Sequence, residues 1–158
     1  MLDKFKNLPL RKGVGIVLIN SENKVFVAKR IDNPKNFWQM PQGGVDNNED
    51  FLSAALRELK EETSIDKVKL IQELEGMTTY ELPDNLLGLI WKGKYRGQKQ
   101  KWFLMRFIGN ENEINLKTKN PEFLEWRWIE IDEITKFVVD FKFEIYRIIK
   151  DKVKKILN

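Results

Sequence analysis

Two stretches of the chain carry the spacing of apolar residues that predicts amphipathic helices. In Asp50–Thr63, the apolar residues at i, i+3, i+4 and i+7 are Leu52, Ala55, Leu56 and Leu59. Near the carboxyl end, Phe143–Leu157 repeats the pattern, and its apolar side comprises Ile145, Ile148, Ile149, Val153 and Ile156. We therefore predict one internal helix and one terminal helix.

Apolar or alternating runs in the rest of the chain predict β-strands. A short polar segment separates Gly13–Asn20 from Lys24–Arg30, which indicates a hairpin. The other predicted strands are Val68–Glu75, Thr78–Leu82, Glu125–Ile131, and a pair formed by Leu86–Trp91 and Lys101–Ile108 across the basic turn Gly93–Gln100. Ile31–Phe37 is predicted to be a loop. These elements indicate an α+β fold with a mixed sheet, and we expect residues 1–158 to form a single domain.

Two residue types are missing from the chain, and their absence narrows the chemistry. Without cysteine, disulfides, thiolate nucleophiles and cysteine-ligated zinc are excluded. Without histidine, a Ser-His or Cys-His catalytic pair is excluded as well. An enzyme with this composition must draw on carboxylates, lysine, tyrosine or a bound ion, and carboxylates favour hard cations such as Mg²⁺ or Mn²⁺.

The net charge and the lengths of the apolar runs indicate the type of binding partner and the cellular location. The formal net charge of +4 favours a polyanionic partner. Met1–Lys12 is charged and has no apolar signal-peptide core, and the apolar run Val14–Ile19 is too short to span a membrane. We expect a cytoplasmic protein without a membrane partner.

Three glutamates of the internal helix lie on one side of it. At about 100° per residue, Glu58, Glu61 and Glu62 share roughly a 100° arc beside the apolar stripe. Like charges four residues apart oppose helix formation, and a carboxylate pair about 4 Å apart near a surface repels by ~4 kcal/mol. A divalent cation would relieve this repulsion and use the same oxygens as ligands.

A glutamate-rich helix is by itself most often a solvated surface, so its surroundings decide the interpretation. Here Gly43 and Gly44 precede the helix, and glycine permits close approach of the backbone to a ligand. Glu49 is placed where it can pair with Arg57 and pin the loop to the helix.

At these positions the chain resembles the Nudix hydrolases. Their motif is Gly, five residues, Glu, seven residues, then Arg-Glu-apolar-any-Glu-Glu-any-Gly-apolar. The matching residues are Gly43, Glu49, Arg57, Glu58, Leu59, Glu61, Glu62 and Ile65. The resemblance implies an α/β/α sandwich with a mixed sheet, a catalytic loop–helix–loop and a carboxy-terminal helix. It also implies Glu58, Glu61 and Glu62 as Mg²⁺ or Mn²⁺ ligands, Gly43 at the metal site, and supporting roles for Arg57 and Glu49.

Ser64 is the one departure from the motif, since it stands where the family has its second glycine. A glycine there would end the helix in a left-handed turn. A residue with a side chain costs roughly 1 kcal/mol in that conformation. The departure bears on the helix end and leaves the metal ligands in place.

Further segments are similar to a Nudix subfamily that contains bacterial RNA pyrophosphohydrolases and asymmetrical diadenosine tetraphosphate hydrolases. They are Trp38–Gly44, Gly97–Leu104, Glu113–Leu116 and Pro121–Trp128. The resemblance implies Glu122 as a further metal-site glutamate and Arg30 as a phosphate contact. It implies RNA-end contacts for Arg11, Val139, Phe141 and Lys142, with Tyr80 and the loop Gln98–Lys101 as additional contacts. From the residues alone, Glu122 is a solvated acid and Phe141 a core aromatic, and Trp126 and Trp128 are core.

The resulting hypothesis is metal-dependent hydrolysis of a phosphoanhydride, with 5′-triphosphate or diphosphate RNA as substrate and a monomeric enzyme. Two alternatives remain open. The same chemistry can serve a dinucleoside polyphosphate, since Trp38–Gly44 and the loop before it fit that branch equally. A non-catalytic nucleotide- or RNA-binding module is the third reading, and Ser64 is the feature that favours it.

Overall fold

The computed structural model describes residues 3–32 and 35–158. Met1 and Leu2, and Asn33 and Pro34 within the predicted loop Ile31–Phe37, lie outside this part of the chain. None of the helices in the described ranges is long and apolar enough to cross a membrane.

Three α-helices and seven β-strands make up the regular structure of these residues. In chain order they are α1 (Asp3–Lys6), β1 (Leu10–Ile19), β2 (Val25–Arg30), β3 (Gln42–Gly44), α2 (Phe51–Thr63), β4 (Val68–Glu73), β5 (Thr78–Glu81), β6 (Gly97–Phe107), β7 (Phe123–Ile129) and α3 (Phe143–Leu157). Short 3₁₀ turns occupy Glu111–Glu113, Ile131–Glu133 and Asp140–Lys142, and Ile90–Gly93 is a turn with non-helical backbone angles at Trp91 and Lys92.

All seven strands belong to one mixed sheet. Its main path runs β4-β6-β1-β2-β7, with β3 added to β1 and β5 added to β6. The central pair β1 and β6 is parallel, from Leu10 opposite Gly97 to Ile19 opposite Arg106. The other pairs are antiparallel, including the predicted hairpin of β1 and β2. The mixed sheet expected from the sequence is confirmed.

The sheet separates two apolar cores, one under each long helix. Because side chains alternate along a strand, β1 directs Ile16 and Leu18 to the α2 side and Val17 and Ile19 to the α3 side. On the α2 side the helix contributes Ala54, Ala55 and Leu59. On the other side, helix α3 contributes Ile145, Tyr146, Ile149 and Val153. The arrangement is the expected α/β/α sandwich.

The predicted helices are confirmed, with one error in the apolar face of α2. Asp50 caps the helix by accepting a 2.7 Å hydrogen bond from the backbone N–H of Ser53. Leu56, predicted to be buried, is 41% exposed, and Ala54 is buried instead. Trp126 and Trp128 pack on Phe26 in the α2-side core, as predicted.

The predicted pairing of Leu86–Trp91 with Lys101–Ile108 is wrong. Residues 83–93 form successive turns, in which the backbone N–H of Leu86 donates to the carbonyl of Pro83. The chain reverses here through Gly88 and Gly93, which both have positive φ angles. Strand β6 begins earlier than predicted, at Gly97, because it pairs with β5 as well as with β1 and β4.

Candidate active site

Arg57, in the middle of α2, joins the loop after β3 to the acidic side of the helix. Its Nε and Nη2 lie 2.8 and 2.9 Å from the two carboxylate oxygens of Glu49. Nη2 also donates to the carbonyl oxygen of Gly44 at 2.8 Å, and Nη1 donates to Glu58 at 3.0 Å. The predicted pairing of Glu49 and Arg57 is present, and it lowers the pKa of Glu49 to about 2.

Gly43 brings the backbone of β3 into contact with the Glu58 side chain. A Cβ atom at residue 43 would lie 2.0 Å from the Glu58 carboxyl carbon, far inside van der Waals contact. Gly43 pairs with Val14 of β1, so the strand has no freedom to move away. A residue without a side chain is therefore required beside the first glutamate of the helix.

Glu62 is the most deeply placed carboxylate of the site. The residue is 3% exposed, and its Oε2 has no hydrogen-bond partner among the described residues. Burial raises its pKa well above the ordinary value, and the charges of Glu122 and Glu58 raise it further, while Arg30 lowers it. Burial also raises the pKa of Glu58, against the lowering effect of Arg57. Both carboxylates are thus poorly compensated as anions, which favours a cation beside them.

A cavity of about 450 Å³ opens beside these glutamates. It is lined by Glu58, Lys60, Glu61, Glu62, Ser64, Thr118, Lys119, Asn120 and Glu122. The buried Oγ1 of Thr118 also has no hydrogen-bond partner in the described part of the chain. The four glutamates of the lining and the Thr118 hydroxyl offer oxygen ligands, the kind that Mg²⁺ and Mn²⁺ prefer, so these residues fit a hard divalent ion.

The acidic side chains of this cavity lie at separate positions around it. Within residues 3–32 and 35–158, no three acidic side chains converge closely enough to form a metal cluster. Glu61 contacts the Nη1 of Arg57 at 3.3 Å, and Glu122 is exposed at the end of the loop before β7.

Ser64 ends α2 in the left-handed conformation expected from the family glycine. Its φ and ψ are 67° and 6°, and its backbone N–H donates to the carbonyl of Lys60. The side chain adds a hydrogen bond from Oγ to the carbonyl oxygen of Asn115 at 2.8 Å. The helix end of the family is thus retained without the glycine, and one side-chain hydrogen bond offsets part of the strain.

A second, larger cavity of about 510 Å³ contains most of the predicted substrate contacts. It is lined by Arg30, Asp32, Phe37, Trp38, Gln39, Gln42, Tyr80, Leu82, Leu86, Ile90, Trp91, Val138, Val139, Phe141 and Lys142. Arg30 is paired there with Asp32, through contacts of 2.8 and 2.9 Å, and this pair raises the pKa of Arg30. A phosphate that binds Arg30 must share it with Asp32.

Lys142 is a buried cation in the wall of this larger cavity. It is 7% exposed, and its Nζ lies 5.7 Å from the ring centre of Tyr80 and 5.9 Å from that of Phe141. Burial, with a smaller contribution from the nearby Arg30, lowers the pKa of Lys142 to about 8, against the raising effect of Glu62. The two rings also contact each other, with centres 5.5 Å apart.

Arg11 is held at the edge of the larger cavity by a row of buried polar side chains. It donates to Gln98 at 2.9 Å, and Gln98 donates to the hydroxyl of Tyr80 at 2.9 Å. Burial raises the pKa of Tyr80 to about 12, so the hydroxyl stays protonated. Arg11 itself does not line the cavity, but its guanidinium lies 5.2 Å from the ring centre of Trp91, which does.

The two cavities lie beside each other at Arg30, which pairs in the sheet with the residue after Glu122, and the backbone N–H of Ile31 donates to the carbonyl of Glu122 at 2.9 Å. Glu122 and Glu62, from the acidic cavity, both raise the pKa of Arg30, and Glu62 also acts on Lys142. Acidic oxygens therefore stand next to the cationic end of an aromatic cavity. A polyphosphate can lie across this junction, with its attached nucleoside among the rings.

Residues 9–149 match the NUDIX domain. The chain belongs to the Nudix family. It is 68% identical, over the full length of both chains, to the RNA pyrophosphohydrolase of Pelagibacter ubique (strain HTCC1062). It is 45% identical to the RNA pyrophosphohydrolase of Novosphingobium aromaticivorans, over 99% of this chain and 100% of that one. As a member of this family with pyrophosphohydrolase relatives, the chain is a hydrolase of phosphoanhydride bonds. Nudix pyrophosphohydrolases depend on divalent metal ions.

Solved structures share the Nudix fold of this chain. The Ap4A hydrolase of C. elegans superimposes with a TM-score of 0.67 at 24% identity, over 94% of this chain and 98% of that one. The dihydroneopterin triphosphate pyrophosphohydrolase of E. coli superimposes with a TM-score of 0.68 at 20% identity, over 88% and 95% of the two chains.

Trp91 and Thr118 are among the cavity residues that the sequence did not single out. Trp91 lies in a segment predicted to be a strand, and only its position beside a basic turn gave a signal. Thr118 lies in an irregular segment, and nothing in the sequence marks it. The structure brings Glu58, Glu61, Glu62 and Glu122 to one cavity, and Arg30, Tyr80, Val139, Phe141 and Lys142 to the other.

Proposed function

We propose that this Nudix hydrolase acts on RNA 5′ ends and converts a 5′-triphosphate to a 5′-monophosphate. The observation that carries the proposal is the junction at Arg30 between an acidic cavity and an aromatic, cationic one. The names of the full-length relatives support RNA as the substrate. We further propose that the enzyme acts as a monomer in the cytoplasm.

The acidic cavity would hold the metal ion, Mg²⁺ or Mn²⁺. We propose Glu58, Glu61, Glu62 and Glu122 as its carboxylate ligands, and Gly43 as the position that keeps the backbone close to it. The unpartnered Oε2 of Glu62 supports this assignment, because a buried carboxylate oxygen is costly without a partner. A bound ion there would lower the pKa of water and neutralise charge on the phosphates.

The residues around the ion position the reacting groups. Arg57 and Glu49 hold the loop and helix in register, which keeps Glu58 against β3. One of the glutamates accepts the proton of the attacking water, since the chain contains no histidine to do so.

The larger cavity would hold the rest of the substrate. Arg30 and Lys142 supply positive charge to the polyphosphate, and Arg11 adds a third cation at the edge. Phe141, packed on Tyr80 beside Val139, supplies a ring on which a base can stack. Phosphate charge is thereby held at Arg30, next to the carboxylates.

Side-by-side kinetics on three substrates test the choice of substrate. The substrates are a 5′-triphosphorylated RNA, diadenosine tetraphosphate and free nucleoside triphosphates, each assayed with Mg²⁺ and with Mn²⁺. The proposal expects the highest kcat/KM on RNA. An equal or higher kcat/KM on diadenosine tetraphosphate would assign the enzyme to dinucleoside polyphosphates instead.

Substitution of Glu62 by Gln tests the metal site without relying on activity. At neutral pH the variant without ion should unfold at a higher temperature than the wild type, because an uncompensated buried charge is removed. Addition of Mg²⁺ or Mn²⁺ should stabilise the wild type and have little effect on the variant. The rate should fall by about 10² or more. Equal stabilisation of both proteins by the ion would remove Glu62 from the ligand set.

A further inference from the structure

The turn that ends in Gly93 has an unusual backbone. Trp91 and Lys92 are consecutive residues with side chains, and both are left-handed, with φ and ψ of 52° and 35°, and of 57° and 25°. This conformation is unfavourable for L-residues other than glycine, and it persists only where the surroundings impose it. Such residues cluster at ligand sites, so the position of the Trp91 ring is informative.

The residues on both sides of Trp91 and Lys92 are closely packed. A Cβ atom at Gly88 would lie 2.7 Å from the ring of Phe5, and one at Gly93 would lie 3.0 Å from the carbonyl oxygen of Gly88. The end of the segment is held by Arg96, whose backbone N–H donates to the carbonyl of Pro9 at 3.1 Å. The turn is therefore packed against the amino-terminal residues.

The strained turn places the Trp91 ring in the wall of the larger cavity. The ring is partly buried, with the Arg11 guanidinium 5.2 Å from its centre and the Tyr95 ring edge-on at 6.2 Å. Arg11 is in turn fixed by its hydrogen bond to Gln98. Phe141 lines the same cavity but comes from the Asp140–Lys142 turn, so two separate segments each supply an aromatic ring.

We propose that Trp91, held by Arg11 and Tyr95, is a second nucleobase platform, in addition to Phe141. The inference rests on the proposed function, because it assumes that the cavity takes a nucleotide. A preorganised tryptophan ring stacks any base without a large entropic cost. The ligand is a second base on the same substrate: the next nucleotide of an RNA, or the other nucleoside of a dinucleoside polyphosphate.

Kinetics on substrates with one and two bases test the proposal. The substrates are ATP, a 5′-triphosphorylated dinucleotide and diadenosine tetraphosphate. Trp91→Ala should lower kcat/KM by about 10-fold on a two-base substrate and by less than about 2-fold on ATP. Trp91→Phe should restore most of the loss, because a phenyl ring still stacks. Leu89→Ala is the matched control, since Leu89 belongs to the same segment, is 73% exposed and does not line the cavity.

The substrate that shows the loss identifies the source of the second base. A loss on the dinucleotide assigns it to RNA, and a loss on diadenosine tetraphosphate assigns it to the dinucleoside. Equal losses on ATP and on both two-base substrates, or no loss on any of them, would overturn the proposal. Equal losses would mean that Trp91 acts only by supporting Arg11 or the turn.

Binding without turnover gives a second readout. In EDTA, a 5′-monophosphorylated dinucleotide should quench tryptophan fluorescence more in the wild type than in Trp91→Phe, and AMP should quench both equally. Equal quenching of both proteins by the dinucleotide would contradict the platform. Failure of the wild type to hydrolyse triphosphorylated RNA would refute the proposed function alone, because the fluorescence comparison and the diadenosine tetraphosphate assay still test Trp91.

Discussion

Arg57 and Glu49 form a two-pronged ion pair across the loop that leads into α2, with both contacts within 2.9 Å. The Glu49 oxygen that Nη2 of Arg57 contacts, Oε1, also accepts a hydrogen bond from the backbone N–H of Asp46 at 3.0 Å. The remaining donors of Arg57 reach Gly44 and Glu58. One arginine thus sets the distance between the β3 backbone and the first acidic residue of the helix.

Replacement of Glu49 by Gln should destabilise the protein in a pH-dependent way. The folded-state pKa of Glu49, about 2, lies below its ordinary value of 4.5. The stabilisation by the pair is therefore fully present above pH 4.5 and is lost as the pH falls towards 2. Denaturant unfolding of both proteins should show a stability gap at pH 7 that closes through this range. A gap that stays constant down to pH 3 would mean that the ion pair is not its source.

Gly43→Ala and Gly44→Ala should impair different steps, although the residues are adjacent. A Cβ at residue 43 would collide with Glu58, whereas one at residue 44 would lie 2.5 Å from Nη2 of Arg11, the end of a flexible side chain. Gly43→Ala should raise the metal concentration that gives half-maximal activity and lower kcat by about 10-fold or more. Gly44→Ala should raise KM and leave the metal requirement unchanged. The same defect in both variants would show that the strand as a whole had shifted.

The elements with strong local signals were predicted well. Asp50 before the periodic residues marked the start of α2, and the period of the last segment matched α3, Phe143–Leu157. The spacing of glycine, glutamate and arginine identified the acidic helix, because motif residues that meet through one loop and one helix lie close in sequence. The pairing of Glu49 with Arg57 could be foreseen for the same reason.

The features that could not be predicted from the sequence depend on contacts between residues far apart in the chain. Gln98 and Gln100 looked like part of a basic turn, yet both are buried in β6, where Tyr80 and Gln42 satisfy their amides. No local pattern shows that a polar residue has a buried partner. Trp91 was missed because its place in the cavity depends on a left-handed turn between glycines and on packing against Phe5.

Two substitutions at Ser64 should differ in stability by the cost of its left-handed conformation. Ser64→Gly and Ser64→Ala both remove the hydrogen bond to Asn115, but only glycine adopts a φ of 67° without strain. The glycine variant should therefore be more stable than the alanine variant by about 1 kcal/mol. Urea unfolding measures the difference. Equal stabilities would indicate that the helix end relaxes when the side chain is changed.

Lys142 should make both stability and catalysis depend on pH above neutrality. Its folded-state pKa of about 8 is below the ordinary 10.5, so burying its charge costs free energy below pH 8. That cost disappears as the pH rises from about 8 to 10.5. Lys142→Met should therefore be more stable than the wild type at pH 7, with an advantage that vanishes by pH 10.5.

The deprotonation of Lys142 should also appear in the kinetics, where it lowers activity although it raises stability. Loss of the proton removes a positive charge from the polyphosphate site, so the kcat/KM of the wild type should fall above about pH 8. Lys142→Met should have a lower kcat/KM at pH 7 and lack this fall. Lys136→Met is a suitable control, because Lys136 is a lysine that does not line the cavity. A fall of the same size and midpoint in Lys142→Met would assign the titration to another group, such as the metal-bound substrate.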